Sequence, residues 1–161
     1  MTDHAEVEAF LRRHLDAVFA DNVEEYHATT SDDLTLYEWF VTPHRIDGLP
    51  FHDFQMSEAA RRGGVYNDAG GESIRYRYDL ANLRIQRYGD TAIATFTLLV
   101  SKGDAAGVKV ESHNESRVMV KLPDGWRVVH VHTRKNTDDA DHSKQSVKSV
   151  KSVSSVHSSG L

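Results

Sequence analysis

The residues best suited to chemistry lie near the carboxyl end of the chain, between positions 111 and 133. Arg117 supplies a planar cation that can bind a carboxylate through two hydrogen bonds. His130 and His132 supply imidazoles that donate, accept or bind a metal. These side chains can recognise a small ligand or assist a proton transfer if the chain brings them to one side of one element.

The hydropathy pattern around these residues predicts a hairpin. Apolar and polar side chains alternate along residues 116–122 and again along residues 126–133, and Pro123, Asp124 and Gly125 are typical of a tight turn. Because alternate residues of a strand point to opposite faces, we expect one shared face that forms the wall of a pocket. Its predicted members are Arg117, Met119, Trp126, His130 and His132.

The two strand histidines also raise the question of a metal. A His-x-His pair can hold a divalent ion if a third ligand such as His52, His113 or Glu115 reaches it. Strand histidines are more commonly satisfied by hydrogen bonds, so we expect a packed, hydrogen-bonded pair and no metal. The glycine pairs of the chain lack the strand-to-helix context of a dinucleotide site, so we expect no cofactor.

An enzymatic use of the pocket would need a base and a neutral hydrogen-bond donor. Tyr37 or His52 could donate to a developing oxyanion, and His130 or Asp53 could take the proton. Glu38 and Glu115 are further carboxylates that could serve as a base if they are buried. The predicted ligand-binding residues are Arg117, His52, Tyr37, Trp39, His130 and His132. We interpret Phe51 and Phe54 as core residues.

Composition limits the remaining alternatives. The chain has 161 residues, no cysteine and a formal net charge of −5, which excludes disulfides and disfavours binding to nucleic acid. No run of about 18 apolar residues could span a membrane, and the amino terminus does not resemble a secretory signal. We expect a cytoplasmic protein with no membrane partner.

The order of the elements predicts an α+β fold with helices packed on one face of a curved antiparallel sheet. Periodicity and capping residues predict a helix, a short second helix that carries Val23 and Tyr26, a strand, a third helix and then consecutive strands. The predicted ranges are residues 4–20, 34–40, 50–62, 74–87, 91–101, 108–122 and 126–133. The predicted domain covers residues 1–136, and the Ser-, Val- and Lys-rich residues 137–161 form a predicted disordered tail.

Three separated segments of the sequence carry a family resemblance. They are YEWFVTPHRIDGLPFHDF (residues 37–54), ESRVMV (residues 115–120) and GWRVVHVH (residues 125–132). Together they resemble the association (hub) domain of calcium/calmodulin-dependent protein kinase II and its stand-alone relatives in the nuclear transport factor 2-like superfamily. The resemblance spans roughly residues 7–134.

The resemblance implies a cone-shaped nuclear transport factor 2-like fold that encloses one pocket per subunit. It also implies self-association into a homodimer or a larger closed ring. Kinase activity is not expected, because the chain contains no kinase nucleotide or catalytic motifs. The valine-rich face of the predicted hairpin would lie between copies. Its members are Val118, Val120, Val129 and Val131.

The pocket residues of the family match this sequence unevenly. His52 matches the family's pocket histidine and Arg117 one of its pocket arginines, whereas Thr97 and Thr133 occupy positions where the family has further arginines. We therefore expect a hub-like module with a small-molecule pocket. The alternative is a ketosteroid-isomerase-like or polyketide-cyclase-like enzyme that acts on an apolar or carboxylate-bearing metabolite.

Overall fold

The predicted α+β fold is confirmed by a computed structural model, which describes residues 3–61 and 75–136. Three helices and six strands make up that part of the chain. The helices are α1 (Asp3–Phe19), α2 (Val23–Ala28) and α3 (Leu49–Arg61). The strands are β1 (Thr30–Glu38), β2 (Ile46–Asp47), β3 (Arg75–Tyr88), β4 (Thr91–Asp104), β5 (Gly107–Leu122) and β6 (Gly125–Lys135).

The six strands form one sheet in the order β2-β1-β6-β5-β4-β3. Strands β3 to β6 follow one another as an antiparallel meander, which agrees with the short turns of the sequence. Strand β1 pairs parallel with β6, so the first long strand lies beside the last one. Pairing between distant parts of the chain therefore joins β1 and β2 to the meander, and the sheet stays open between its edge strands β2 and β3.

Helix α1 packs its apolar stripe against the inner face of the sheet. Val7, Leu11 and Leu15 are fully buried and join the core with inward residues of β4, β5 and β6. Their spacing of four residues places them on one side of the helix. Val18, which the sequence pattern places in the same stripe, is exposed because it lies at the last turn, where the helix reaches the open end of the sheet.

An irregularity in β6 changes which side chains face inward. Val118 pairs with His130, but the next residue of β5, Met119, pairs with Val128. Val129 is therefore an extra residue, and the strand contains a β-bulge at this position. The simple alternation that the sequence predicts cannot continue through a bulge.

The prediction that both strand histidines share the inward face is wrong for this reason. Trp126 and Val128 point inward before the bulge, and Val131 and Thr133 point inward after it. His130 lies between Val128 and Val131, and His132 lies between Val131 and Thr133. Both histidines therefore point to the outer face. Val131 was predicted on the outer face and is instead buried in the core. The inward placement of Arg117, Met119 and Trp126 is confirmed, since all three are buried.

A glycine fixes the start of α3 against β1. Gly48 has φ +91°, a backbone conformation that residues with a Cβ atom rarely adopt. Its N–H donates to the carbonyl of Leu34 at 2.7 Å, and its carbonyl accepts from the N–H of His52 at 3.1 Å. This turn places the first turn of α3 close to the end of β1.

Two predictions fall on parts of the chain outside the described residues. The first is a flexible connection, which the sequence predicts between the pairs Gly63-Gly64 and Gly70-Gly71. The second is the disordered tail of residues 137–161, and both stay predictions. Within residues 3–61 and 75–136, no helix is long and apolar enough to cross a membrane.

Candidate functional site

A cavity of about 160 Å³ lies between the helices and the inner face of the sheet, at the open end of the fold. Its wall combines the last turn of α1 and the start of α2 with the end of β1, the first turns of α3 and the middle of β4, β5 and β6. The polar or charged members of the described lining are Asp21, Asn22, Tyr26, Glu38, His52, Asp53, His113, Glu115, Arg117 and Thr133.

An ion pair occupies the β5 side of this wall. The Nε–H of Arg117 donates to Oε2 of Glu115 at 2.9 Å, and both side chains are buried. They are two residues apart on one strand, so both point inward. Burial lowers the pKa of Arg117, but the charge of Glu115 more than compensates, and the pKa is raised overall.

A hydrogen-bonded chain of three side chains occupies the helical side of the wall. The Nε2 atom of buried His52 lies 3.0 Å from Oε2 of Glu38, and its Nδ1 atom lies 3.1 Å from the hydroxyl of Tyr26. Because an ionised carboxylate can only accept, Nε2–H donates to Glu38 and the Tyr26 hydroxyl donates to Nδ1. Burial raises the pKa of Tyr26, with the charge of Glu38 adding to the effect, so the phenol stays protonated.

The rim of the cavity carries a second imidazole–carboxylate contact. Nε2 of His27 lies 2.7 Å from Oδ2 of Asp53, and both side chains are partly exposed. On the opposite side, His113 is buried, and the ring of Trp39 stacks on its imidazole with the ring centroids 5.9 Å apart. Burial lowers the pKa of His113, against the opposing charges of the nearby carboxylates, which favours its neutral form.

Three of the predicted site residues meet in the cavity. Arg117, His52 and Asp53 line it, and Glu38 and Glu115, considered as alternative bases, line it as well. Glu38 points inward, on the face of β1 opposite to exposed Tyr37. These five side chains come from three elements.

The other predicted site residues lie outside the cavity. Tyr37 and Trp39 are 39% and 45% exposed, because they alternate with the inward residues of β1. His130 and His132 lie on the outer face, where Nδ1 of His130 is 2.8 Å from the hydroxyl of Thr35. These four residues therefore do not line the cavity, although His132 lines a more open depression elsewhere on the sheet.

Phe51 and Phe54 are also placed differently from the prediction. They are 49% and 59% exposed and stack on each other with ring centroids 6.4 Å apart, rather than joining the core. The first turns of α3 direct His52 inward, and its two phenylalanines lie on the other side of the helix. Within the described residues, no three potential ligands from His, Cys, Asp and Glu are arranged to hold a metal.

Tyr26 is the cavity residue that sequence reasoning missed. The sequence pattern places it only on a short helix with Val23, and no motif marks it as a partner of His52. The pair of Glu115 and Arg117 is easier to predict from sequence, because residues two apart on a strand point to the same face and these two have opposite charges.

Comparison with solved structures defines the class of fold. A hub homology domain from Chlamydomonas reinhardtii superposes with a TM-score of 0.70 at 24% identity, covering 84% of this chain and all of that one. A hub from S. rosetta gives 0.65 at 24%, covering 82% and 95%. A putative ketosteroid isomerase from Shewanella frigidimarina gives 0.58 at 17%, covering 78% and 92%. No curated protein sequence matches the chain.

A nuclear transport factor 2-like protein from Cytophaga hutchinsonii gives 0.62 at 14%, covering 84% of this chain and all of that one. With the helices packed on one face of a curved sheet, these likenesses place the fold in the nuclear transport factor 2-like class. The sequence itself gives the narrower assignment. Residues 3–137 match the family model of the calcium/calmodulin dependent protein kinase II association domain, and the chain belongs to that family.

Proposed function

We propose that the protein is a hub-like module that associates with copies of itself, binds a small molecule in its cavity and has no kinase activity. The observation that carries the proposal is the outer face of the sheet, against which none of the described helices packs. The association-domain family match supports the same function.

The outer face offers an apolar region suited to contact with a second copy. Ile93 pairs with Val118, which pairs in turn with His130, so these side chains form one row across three strands. Val120 and the bulge residue Val129 lie close to this row, and all of them remain partly exposed. Burying β-branched side chains of this kind between subunits removes apolar area from water.

Light scattering on the full chain, whose protomer mass is 18.1 kDa, tests this proposal. We expect the mass of a dimer or of a larger closed ring. A charge introduced at the outer face, Val118→Glu, should lower that mass without loss of helical circular dichroism. The same change at exposed Val23 on α2 serves as the matched control and should leave the mass unchanged. A monomeric wild-type protein would contradict the proposal.

A second candidate function is supported by the chain of hydrogen bonds through His52. Glu38 could act as a base towards a carbon acid. The protonated Tyr26 hydroxyl could stabilise an oxyanion by turning its hydrogen from Nδ1 of His52 to the ligand. This pair of roles is what isomerisation of a β,γ-unsaturated ketone requires. The likeness to a putative ketosteroid isomerase is compatible with it, although the likeness shows only the fold.

The small ketone 3-cyclohexenone is a suitable probe, because its conjugated isomer is detected by ultraviolet absorbance. The candidate enzyme should convert it faster than buffer does, and Glu38→Gln should remove the acceleration. The outcome that excludes this activity is an identical rate for wild type, Glu38→Gln and buffer.

A further inference from the structure

The wall of the cavity carries more negative than positive charge. Among its described residues, four have carboxylates and one has a guanidinium. The carboxylates are those of Asp21, Glu38, Asp53 and Glu115, and the guanidinium is that of Arg117. An anionic ligand would therefore approach several like charges in a partly desolvated site, where such repulsion is poorly screened.

Arg117 can offer terminal N–H groups to an anion, but its positive charge already compensates nearby carboxylates. Its Nε–H already donates to Glu115, and the charge of Glu38 also acts on its guanidinium. At one position where the family resemblance implies a further pocket arginine, Thr133 lines the cavity with an uncharged hydroxyl. A desolvated carboxylate normally needs more than one charged partner, and this wall opposes it with carboxylates of its own.

Two carboxylate oxygens on the wall remain available to a donor. Glu38 uses Oε2 for His52, and Glu115 uses Oε2 for Arg117. No side chain in the described part of the molecule donates to Oε1 of either residue. Glu115 is more than nine-tenths buried, and buried carboxylate oxygens are normally hydrogen-bonded. An ammonium group brings three donors and a positive charge, and so suits both oxygens.

The rest of the wall suits the body of an organic cation. Phe19, Tyr26 and Phe40 contribute aromatic rings, whose faces attract positive charge, and Leu98 and Val131 contribute apolar contact. The cavity volume of about 160 Å³ is close to the roughly 150 Å³ of an engineered apolar cavity that holds benzene.

We propose that the cavity binds a small organic ammonium ion with an apolar body about the size of a benzene ring, in preference to a carboxylate. The ammonium lies between Glu38 and Glu115, and the apolar body contacts the aromatic wall. This inference rests on the pocket-binding part of the proposed function and names the class of its ligand.

Three probes of equal size separate charge from shape: benzylammonium, benzyl alcohol and benzoate. Each is titrated into the full-length protein at pH 7.5, with binding measured by calorimetry and by changes in the protein NMR spectrum. We expect benzylammonium to bind at least about tenfold more tightly than benzoate, which corresponds to about 1.4 kcal/mol. Benzyl alcohol should fall between them.

Variants test whether the cavity carboxylates cause the preference. Glu38→Gln should reduce the preference for benzylammonium over benzoate at least about threefold, and Asp53→Asn at the rim should reduce it by less, since charge effects weaken with exposure. If Glu38→Gln fails to fold, Asp53→Asn supplies the test. Asp90→Asn in the exposed β3–β4 turn removes the same charge far from the cavity and should leave the preference unchanged.

The possible results distinguish the proposed ligand class from the more general proposal that the cavity binds a small molecule. Benzoate binding as tightly as benzylammonium, or more tightly, would overturn the ligand class while a pocket function survives. If none of the three probes binds, the pocket-binding proposal fails as well. A preference for benzylammonium that persists unchanged in both cavity variants would show that the named carboxylates are not its cause.

Discussion

The buried ion pair between Arg117 and Glu115 ties the stability of the fold to the chemistry of the cavity. Removing one partner leaves the other charge uncompensated where water cannot reach it freely. Arg117→Met and Glu115→Gln should each lower the free energy of unfolding by about 3–5 kcal/mol. The double variant should lose less than the sum of the two, as measured by urea denaturation at one fixed protein concentration.

An exposed ion pair on α1 provides the matched control. Arg12 and Glu8 interact at 2.9 Å, but both are in contact with solvent. Glu8→Gln should therefore cost less than about 1 kcal/mol. Equal costs for Glu8→Gln and Glu115→Gln would show that burial does not govern the pair.

His14 should make the stability of the protein sensitive to acid. Burial holds the pKa of its imidazole well below 6.5, and the charge of Arg117 lowers it further. Below about pH 6.5, His14 binds a proton in the unfolded chain but stays neutral in the folded chain. The free energy of unfolding therefore falls as the pH falls. The contribution of one such group is about 1.4 kcal/mol per pH unit.

Unfolding measured between pH 7 and pH 5 tests this expectation. The Thr29 hydroxyl donates its hydrogen to backbone carbonyls, so its oxygen accepts from Nδ1 of His14 at 2.8 Å. In the His14→Asn variant, the side-chain amide can donate in the same way. The variant should lose stability less steeply with acid than wild type. His4→Asn on the same helix is the control and should follow wild type, because His4 is exposed. Parallel curves for all three proteins would contradict the assignment.

For single residues, the sequence predicted the inward direction of Arg117 correctly but not the direction of the strand histidines. The inward direction of Arg117 follows from alternation along an unbroken strand. The direction of His130 could not be predicted in the same way, because the bulge at Val129 depends on pairing with β5. Tyr26 could not be predicted as a site residue, since its partner His52 lies 26 positions away on another helix.

The turns between strands give a prediction at the scale of the element. Gly125 in the β5–β6 turn has φ +126°, whereas Gly89 in the β3–β4 turn has φ +59°. Asparagine adopts the second conformation readily but not the first. Gly125→Asn should cost about 1–3 kcal/mol of stability, and Gly89→Asn clearly less.

Thermal unfolding of the two variants measures this difference. Space is not the cause, because a Cβ at Gly125 would meet its nearest neighbour, a nitrogen of Arg127, at 3.8 Å, and one at Gly89 would meet nothing within 4 Å. If Gly89→Asn proves the more damaging of the two, backbone conformation does not set the cost.

Most elements could be predicted because their signals are local. The stripe of α1 and the alternation of β4 and β5 depend on neighbours only a few residues away, and these three elements lie close to their predicted bounds. Strand β1 begins at Thr30 rather than at the predicted Leu34. The short strand β2 gave no signal, because a two-residue strand is too short to show a period. The parallel pairing of β1 with β6 is invisible to any local pattern.

The outer face leads to a prediction for the whole molecule. Partial burial lowers the pKa of His130, and the neighbouring His132 lowers it further, with Arg45 acting in the same direction. If this face lies between copies, acid will place positive charge on both sides of the contact. The assembly should therefore dissociate into smaller species as the pH falls through the range below 6.5, where an imidazole of lowered pKa gains its proton.

Mass measurements across this pH range test the role of the two imidazoles. A His130→Gln and His132→Gln double variant should keep its assembly at a lower pH than wild type. His44→Gln, in the exposed loop after β1, should dissociate as wild type does. If the assembly of the double variant dissociates at the same pH as that of wild type, these histidines do not lie in the contact between copies.

The partnership of β1 with β6 has a consequence for how the protein is made. During synthesis, β1 emerges early and must wait for residues 125–135 before it acquires its long neighbour, since Thr35 and His130 are 95 positions apart. Contacts between such distant segments form late in folding because closing a long loop is slow. A nascent chain halted after β5 lacks the β6 part of the cavity wall. If the cavity binds a ligand as proposed, binding during translation should begin only when β6 has left the ribosome.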